Sequence, residues 1–349
     1  MIKTFIVRHF ATAIKKTKVK PNAVTAKPSA IKNLNFENKA LFGAVIKDDT
    51  KSSIPTDQSE SSSEMFWMLQ TKTAPHVRPS SSSSKANQSS VTYGSPIPFE
   101  DVELRSMLTF PLTPSSSGKL ERTWKRHEQF ESNQYRCPSV GKILSATMSE
   151  GARQALLNWK ASKIAQLGED GFAELQRATL ERGSNFHSCL ESWLNEEDVD
   201  EDRLARAKEL WASISGQLGR IQRPARIIER KIYHPFLHYN GVVDCVSSLD
   251  NKLHIIEWKT SENQKPSLSA TYDAPVQLCA YLGALRADPE LGSGLEIASG
   301  AVFVAYTGGN PAHVHLINQT KLKKYWSVWV QRLQEYWIRY RDGTLPEPI

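Results

Sequence analysis

Glu257 and Lys259 stand two residues apart in Ile255-Ile256-Glu257-Trp258-Lys259-Thr260, and Asp244 lies thirteen residues earlier in Val242-Val243-Asp244-Cys245-Val246. In an extended strand, residues two apart project to the same side. An acid and an amine therefore converge at Glu257 and Lys259, while Ile256 and Trp258 face the other way. Asp244 falls on the preceding strand of an expected hairpin, where pairing brings its carboxylate beside Glu257. Two adjacent carboxylates repel unless a positive charge lies between them. A hard divalent cation, Mg²⁺ or Mn²⁺, meets that need, keeps several waters and can also contact a phosphate. Such an ion polarises a phosphoryl oxygen and acidifies a bound water, and Lys259 could orient that water or stabilise charge on the transition state. The implied chemistry is metal-assisted phosphodiester hydrolysis. Taken alone, acid-x-Lys on a strand is also what a surface ion pair looks like. Asp244 carries more weight, because an unpartnered carboxylate in a mostly apolar strand is destabilising.

The elements that must position these residues follow from hydrophobic period. Three amphipathic helices are expected at roughly 150–166, 171–195 and 200–216, with Gly168 and Gly171 between the first two. After Pro224 the period shifts to strands at 227–233, 241–249 and 253–259, with Asn240-Gly241 and Asp250-Asn251 as turn signals. A helix over 272–287, strands at 301–306 and 313–317, and a terminal helix over 321–341 complete the order. Helices, three strands, helix, two strands and helix imply an α/β fold, a mixed central sheet flanked by helices, with an N-terminal helical subregion.

The rest of the chain bounds the setting. The first acidic residue is Glu37, whereas Lys3, Arg8, Lys15, Lys16, Lys18 and Lys20 are basic, and Ile2, Phe5, Ile6, Phe10 and Ala13 fall near one helical face. That composition is that of a mitochondrial transit peptide, expected over residues 1–20. Residues 21–118 are rich in Ser, Pro, Lys and Asn and read as a largely disordered linker, with a short apolar island at Met65–Leu69. The folded domain is expected over 119–349, starting around Pro138-Ser139-Val140-Gly141. The net charge of +7 suits a polyanionic partner, although part of it sits in the leader. Cys137, Cys189, Cys245 and Cys279 form no C-x-x-C pair, which excludes a zinc ribbon or disulfide framework and reads as buried thiols in a reducing compartment. No apolar run reaches 18 residues, so a spanning helix and a membrane partner are not expected.

Gly241-Val242-Val243-Asp244 followed by Glu257-Trp258-Lys259 resembles the G-x-x-D and (D/E)xK signatures of the PD-(D/E)xK nuclease superfamily, and within it the RecB-like nucleases. Gly183-Ser184-Asn185-Phe186-His187 is similar to their upstream G-x-x-x-H motif, and Gln277-Leu278-Cys279-Ala280-Tyr281 to their Q-x-x-x-Y motif. Pro138 to Thr147 resembles the family's opening helix, and Val243 stands where a proline often precedes the first acid. These matches occur in the family's order over roughly residues 137–340.

The resemblance implies a restriction-endonuclease-like core, Mg²⁺ or Mn²⁺ as cofactor, and a monomeric exonuclease acting on single-stranded DNA. With the leader, it places that activity in the mitochondrial matrix, on DNA ends and flaps. It implies Asp244, Glu257 and Lys259 as catalytic residues, with Asp244 and Glu257 as metal ligands joined by His187 and the backbone carbonyl of Trp258. Gln277, Tyr281, Thr260, Ser261 and Gly183 become substrate-binding or supporting positions. An isolated histidine such as His187 is more often a packed residue, and only the resemblance raises it to a ligand. Glu229 could add an acid for a second metal or pair with Arg226 or Lys231. In the terminal helix, Trp326, Trp329, Leu333 and Trp337 form one stripe better suited to core packing than to base stacking. Arg153, Lys160, Lys163, Arg177 and Arg182 on the earlier helices are the better candidates for a basic channel. The alternative to an enzyme is a nucleic-acid-binding module with a decayed nuclease fold, against which the complete Asp244, Glu257 and Lys259 set argues. An iron–sulfur variant needs cysteines beyond Cys279, and there are none.

Overall fold

The computed structural model describes residues 101–113 and 137–349, apart from 289, 290, 292 and 293. The expected leader, the apolar island at Met65–Leu69 and most of the expected linker lie outside these residues. The helices are α1 (Asp101–Met107), α2 (Val140–Ala146), α3 (Glu150–Leu194), α4 (Glu201–Arg206), α5 (Lys208–Leu218), α6 (Ala274–Ala287) and α7 (Gln319–Arg341). Five strands, β1 (Ile227–His234), β2 (Tyr239–Leu249), β3 (Lys252–Ser261), β4 (Ser299–Tyr306) and β5 (His313–Ile317), form one sheet in the order β1-β2-β3-β4-β5. Pairing is antiparallel except between β3 and β4, which run parallel with α6 as their crossover. The expected mixed sheet flanked by helices is therefore observed.

Each face of the sheet carries its own core. One holds Ile255, Val302, Val304 and Tyr306 against α2, α6 and α7. The other holds Cys245, Ile256, Trp258, Ala301, Phe303 and Ala305 against the end of α3 and against α5. Alternate residues of β4 serve opposite faces, which is why the strand is buried from Gly300 onward. Helix α6 is buried from Ala274 to Leu285 except at Gln277, as expected for a helix lying between the sheet and α7. The tryptophan stripe of α7 packs as core: Trp326, Trp329, Leu333 and Trp337 are all buried.

Local chemistry sets the ends. Ser139, Ser149 and Asn318 accept backbone N–H bonds from Lys142, Ala152 and Lys321 and so cap α2, α3 and α7. Asp250 and Asn251 both have positive φ and close the β2–β3 hairpin as a two-residue turn.

The helices expected at 150–166 and 171–195 are observed as the two segments of α3, which meet at Gly168, whose φ of 73° and ψ of 170° are not helical. Three other sequence expectations need correction. Asn240-Gly241 is no turn. Both residues lie inside β2, opposite Tyr233 and Ile232, and the chain reverses at 235–238 instead. The helix expected from Tyr272 begins at Ala274, after a 3₁₀ turn over Leu268–Thr271, because Tyr272 has left-handed backbone with φ of 51°. Finally, residues 101–113, within the range read as linker, contain α1, which buries Leu104 and Met107 against the α7 side of the core. Gln334 of α7 donates to the Leu104 carbonyl, and Trp326 Nε1 donates to that of Phe110 at 2.8 Å.

Candidate active site

The ladder between β2 and β3 runs from Leu249 and Lys252 at the turn to Cys245 and Ile256, and stops one step before Asp244 and Glu257. Beyond that point β2 continues to pair with β1, and β3 with β4 as far as Ser261 and Tyr306. The sheet thus opens into a fork with Asp244 at its base. Asp244 Oδ2 accepts the backbone N–H of Trp258 at 2.9 Å, replacing the ladder bond that ends there. An extended residue directs its N–H and C=O to the same edge, so the Trp258 carbonyl also faces the fork. The open edge of β2 is covered farther along, where Asn240 N donates to Pro138 O at 3.0 Å and Asn240 Nδ2 to Cys137 O at 2.7 Å.

Strand alternation slips at the same level. Ile227 and Ile232 are five residues apart on β1, and Val243 and Val246 three apart on β2, yet all four face one core. Residues on one face should be an even number apart. The slip falls at Glu229, whose φ is 42°, although its neighbours keep regular pairs, Ile228 with Cys245 and Arg230 with Val243. Continuing that register sets Glu229 opposite Asp244.

Side chains from three elements meet here. His187 on α3 has Nδ1 3.0 Å from Glu229 Oε1. A ring nitrogen of His187 and carboxylate oxygens of Glu229 and Asp244 lie within 4.8 Å of one another. Two carboxylates and an imidazole, with a backbone carbonyl on the same side, are donors that fit a hard divalent ion. Among the described residues, this cluster contains Glu229 where the sequence pattern put Glu257. Glu257 instead begins a second group. Lys259 Nζ donates to Glu257 Oε1 at 2.7 Å and to Gln277 Oε1 at 3.0 Å, and Gln277 Nε2 donates to the Tyr281 hydroxyl at 2.8 Å. Glu257 is 1% exposed and Lys259 8%, so the ion pair is held in a low-dielectric setting.

Burial first, and then the nearby Glu257, Asp244 and Glu229 carboxylates, push the Tyr281 hydroxyl well above the usual tyrosine range. It stays protonated and serves as a hydrogen-bonding group. Its ring fills the space beside Gly241, where a β-carbon would stand 2.3 Å from Cε1. The remaining expected positions are more peripheral. Gly183 is a half-buried position on α3, one turn before His187. Thr260 is buried near the end of β3, and the Ser261 hydroxyl is engaged in its own turn, donating to Asn263 O and accepting from Asn263 N. Arg177 pairs with Glu174, and Arg153 donates to the Glu347 carbonyl, so these two cations of the expected channel have protein partners. Three of the four cysteines are buried and Cys137 is half-buried; all are free thiols. Burial raises the Cys137 thiol to about 12.

Residues 143–347 match the model of the PD-(D/E)XK nuclease superfamily, which is more than half of the chain. The chain belongs to the PD-(D/E)XK nuclease superfamily. The fork, the Asp244 carboxylate at its base and the Glu257 and Lys259 pair on β3 all lie within the matched residues. It is also 35% identical over 243 residues to mitochondrial genome maintenance exonuclease 1 of Mus musculus, covering 65% of this chain and 69% of the relative. The relative of the same name in Homo sapiens is 33% identical over 220 residues, covering 60% of this chain and 61% of its own length. That of Xenopus tropicalis is 36% identical over 205 residues, covering 57% of each. No helix among the described residues is long and apolar enough to cross a membrane.

Glu229, read from the sequence as an extra acid for a second metal or a partner of Arg226 or Lys231, stands at the site, and its contact with His187 is what the sequence did not indicate. Its signal was an acid at a strand position facing Asp244, visible only once the β1–β2 register is known.

Proposed function

We propose that this nuclease is a Mg²⁺- or Mn²⁺-dependent exonuclease that cuts single-stranded DNA, as a monomer, in the mitochondrial matrix. On this reading it processes DNA ends and flaps in the maintenance of mitochondrial DNA. The observation that carries the chemistry is the junction of the His187, Glu229 and Asp244 cluster with the buried Glu257, Lys259, Gln277 and Tyr281 chain at one fork in the sheet. The organelle and the exonucleolytic mode are supported by the likeness to the named relatives and by the acid-free leader; the single-strand preference is carried by the RecB-like resemblance.

In this reading Asp244 and His187 would hold the ion, with Glu257 from the adjoining Lys259 group and the Trp258 carbonyl completing the protein's share, and with Glu229 standing behind His187. When bound, such an ion supplies a Lewis acid for a phosphoryl oxygen and a water of lowered pKa. Two of the three ammonium donors of Lys259 go to Glu257 and Gln277, which fixes the direction of the third. That N–H orients the attacking water or stabilises charge on a non-bridging oxygen. Gln277, gripped by Tyr281, prevents Lys259 from collapsing fully onto Glu257. Holding the ammonium in advance avoids reorganisation in the transition state.

The test is digestion of 5′- and 3′-labelled single strands, duplexes and flaps with Mg²⁺, Mn²⁺ or chelator. Stepwise shortening of single strands and flap arms that stops with chelator is expected. Internal cutting of duplex, or cleavage indifferent to chelation, would overturn the proposal.

A further inference from the structure

Glu229 combines three features that the motifs do not account for. Its backbone is left-handed in the middle of a strand, with regular pairing on either side. Its position is opposite Asp244. Its carboxylate lies 3.0 Å from His187 Nδ1, with both side chains only about a fifth exposed at 17% and 22%. A non-glycine residue in this conformation is strained and persists where its surroundings enforce it, which is most common at functional sites. Glycine would adopt the same backbone without strain, but it would leave the His187 ring without its carboxylate.

On the reading of this fork as a metal centre, we propose that Glu229 is a positioning residue that acts through His187. Its carboxylate accepts the Nδ1–H of His187, fixing the tautomer in which Nε2 carries the lone pair, and it holds the ring beside Asp244. Histidines that bind metals generally direct their second nitrogen to a carboxylate in this way, and loss of that partner lowers metal affinity about 10- to 100-fold. The left-handed turn at Glu229 provides the aim. Regular β backbone would send residue 229 along the normal alternation, whereas the turn brings its carboxylate to the ring on α3. The strand slip at 229 and 244 and the His187 contact then have one cause.

The experiment is calorimetric titration of Mn²⁺ into the full chain without DNA, with folding checked by circular dichroism and thermal melting in chelator. Glu229→Gly should melt no lower than a few degrees from wild type, yet bind Mn²⁺ about 10- to 100-fold more weakly. Glu229→Gln keeps a carbonyl acceptor for Nδ1–H and should bind within about fivefold of wild type, since the neutral amide still fixes the tautomer. Unchanged affinity in Glu229→Gly would overturn the proposal. Glu229→Gln as weak as Glu229→Gly would also overturn it, in favour of direct ligation. If Glu229→Gly does not fold, Glu229→Asn takes its place, because asparagine tolerates left-handed backbone and its shorter side chain does not reach the ring. Asp244→Asn separates the two levels: it should abolish Mn²⁺ binding, and retention there would overturn the metal centre itself.

Discussion

The ring of Tyr281 on α6 occupies the place where a β-carbon on Gly241 of β2 would stand, with only 2.3 Å between that position and Cε1. Two motifs forty residues apart are therefore one packing unit. Gly241 lets the ring approach the strand, the ring aims its hydroxyl at Gln277, and Gln277 steadies Lys259. Gly241→Ala must displace the ring, and overpacking of this kind destabilises by about 1–3 kcal/mol. The expected outcome is a melting temperature several degrees lower and a marked loss of cleavage. Tyr281→Phe should keep the packing and lose the bond from Gln277, with a stability change near 1 kcal/mol. Chemical denaturation of both variants checks this, and a Gly241→Ala protein of wild-type stability would show that the ring is not wedged there.

Ion withdrawal should be visible in stability as well as in activity. A ligand present at about 100 times its dissociation constant adds roughly 2.7 kcal/mol to the folded state. Mn²⁺ should therefore raise the melting temperature relative to chelator, and Asp244→Asn should remove the difference. An equal rise in Asp244→Asn would place the stabilising ion elsewhere.

Alkaline pH should unfold the protein through its buried phenols. Tyr239 donates to the Ala280 carbonyl at 2.8 Å, and burial holds its hydroxyl well above the usual range. Its folded pKa is raised, so the stabilisation is complete below the unfolded value of about 10 and is lost as pH rises above it. In that window the unfolded chain has released protons that the native state retains. Urea midpoints should fall from pH 9 to pH 11, and Tyr239→Phe should flatten the decline. A slope unchanged in Tyr239→Phe would assign the alkaline loss to other groups.

Helix α1 contributes through two apolar side chains. Met107 and Leu104 are buried in the core, and Arg341 forms an ion pair with Asp101 at 2.5 Å at its edge. Met107→Ala should lower stability by about 2–5 kcal/mol, the range for large-to-small core changes. Asp101→Ala should change it by less than about 1 kcal/mol, because both partners are exposed. Equal effects from the two substitutions would contradict this division.

The chemistry was legible where it rests on local period. Glu257 and Lys259 share a face because strands alternate, and the tryptophan stripe of α7 is buried because helices repeat at 3.6 residues. Asp250-Asn251 turned as expected, since both residues tolerate left-handed backbone. Asn240-Gly241 has the same local signature but serves another need: the glycine there accommodates a ring from α6, a contact no local pattern contains. Helix α1 was missed because its two buried residues are sustained by α7 and not by any core of its own. Glu229 was placed on its strand but not with its partner, because His187 is 42 residues away and the pairing requires a left-handed residue inside a strand. The ladder was expected to carry Asp244 against Glu257. It ends one residue short, and the side chain of Asp244 takes the backbone bond that the ladder gives up.

The role of the buried ammonium is isolated by Lys259→Ala, assayed on end-labelled single-stranded DNA with Mn²⁺ beside the wild type with Mn²⁺ and with chelator. Removing the ammonium from a buried carboxylate destabilises by up to about 3–5 kcal/mol, so the assay is run well below the variant's melting temperature. The wild type with Mn²⁺ should shorten the DNA and neither of the others should, while Lys259→Ala still binds the strand. The same products from Lys259→Ala, or from the wild type in chelator, would rule out metal-dependent cleavage through Lys259.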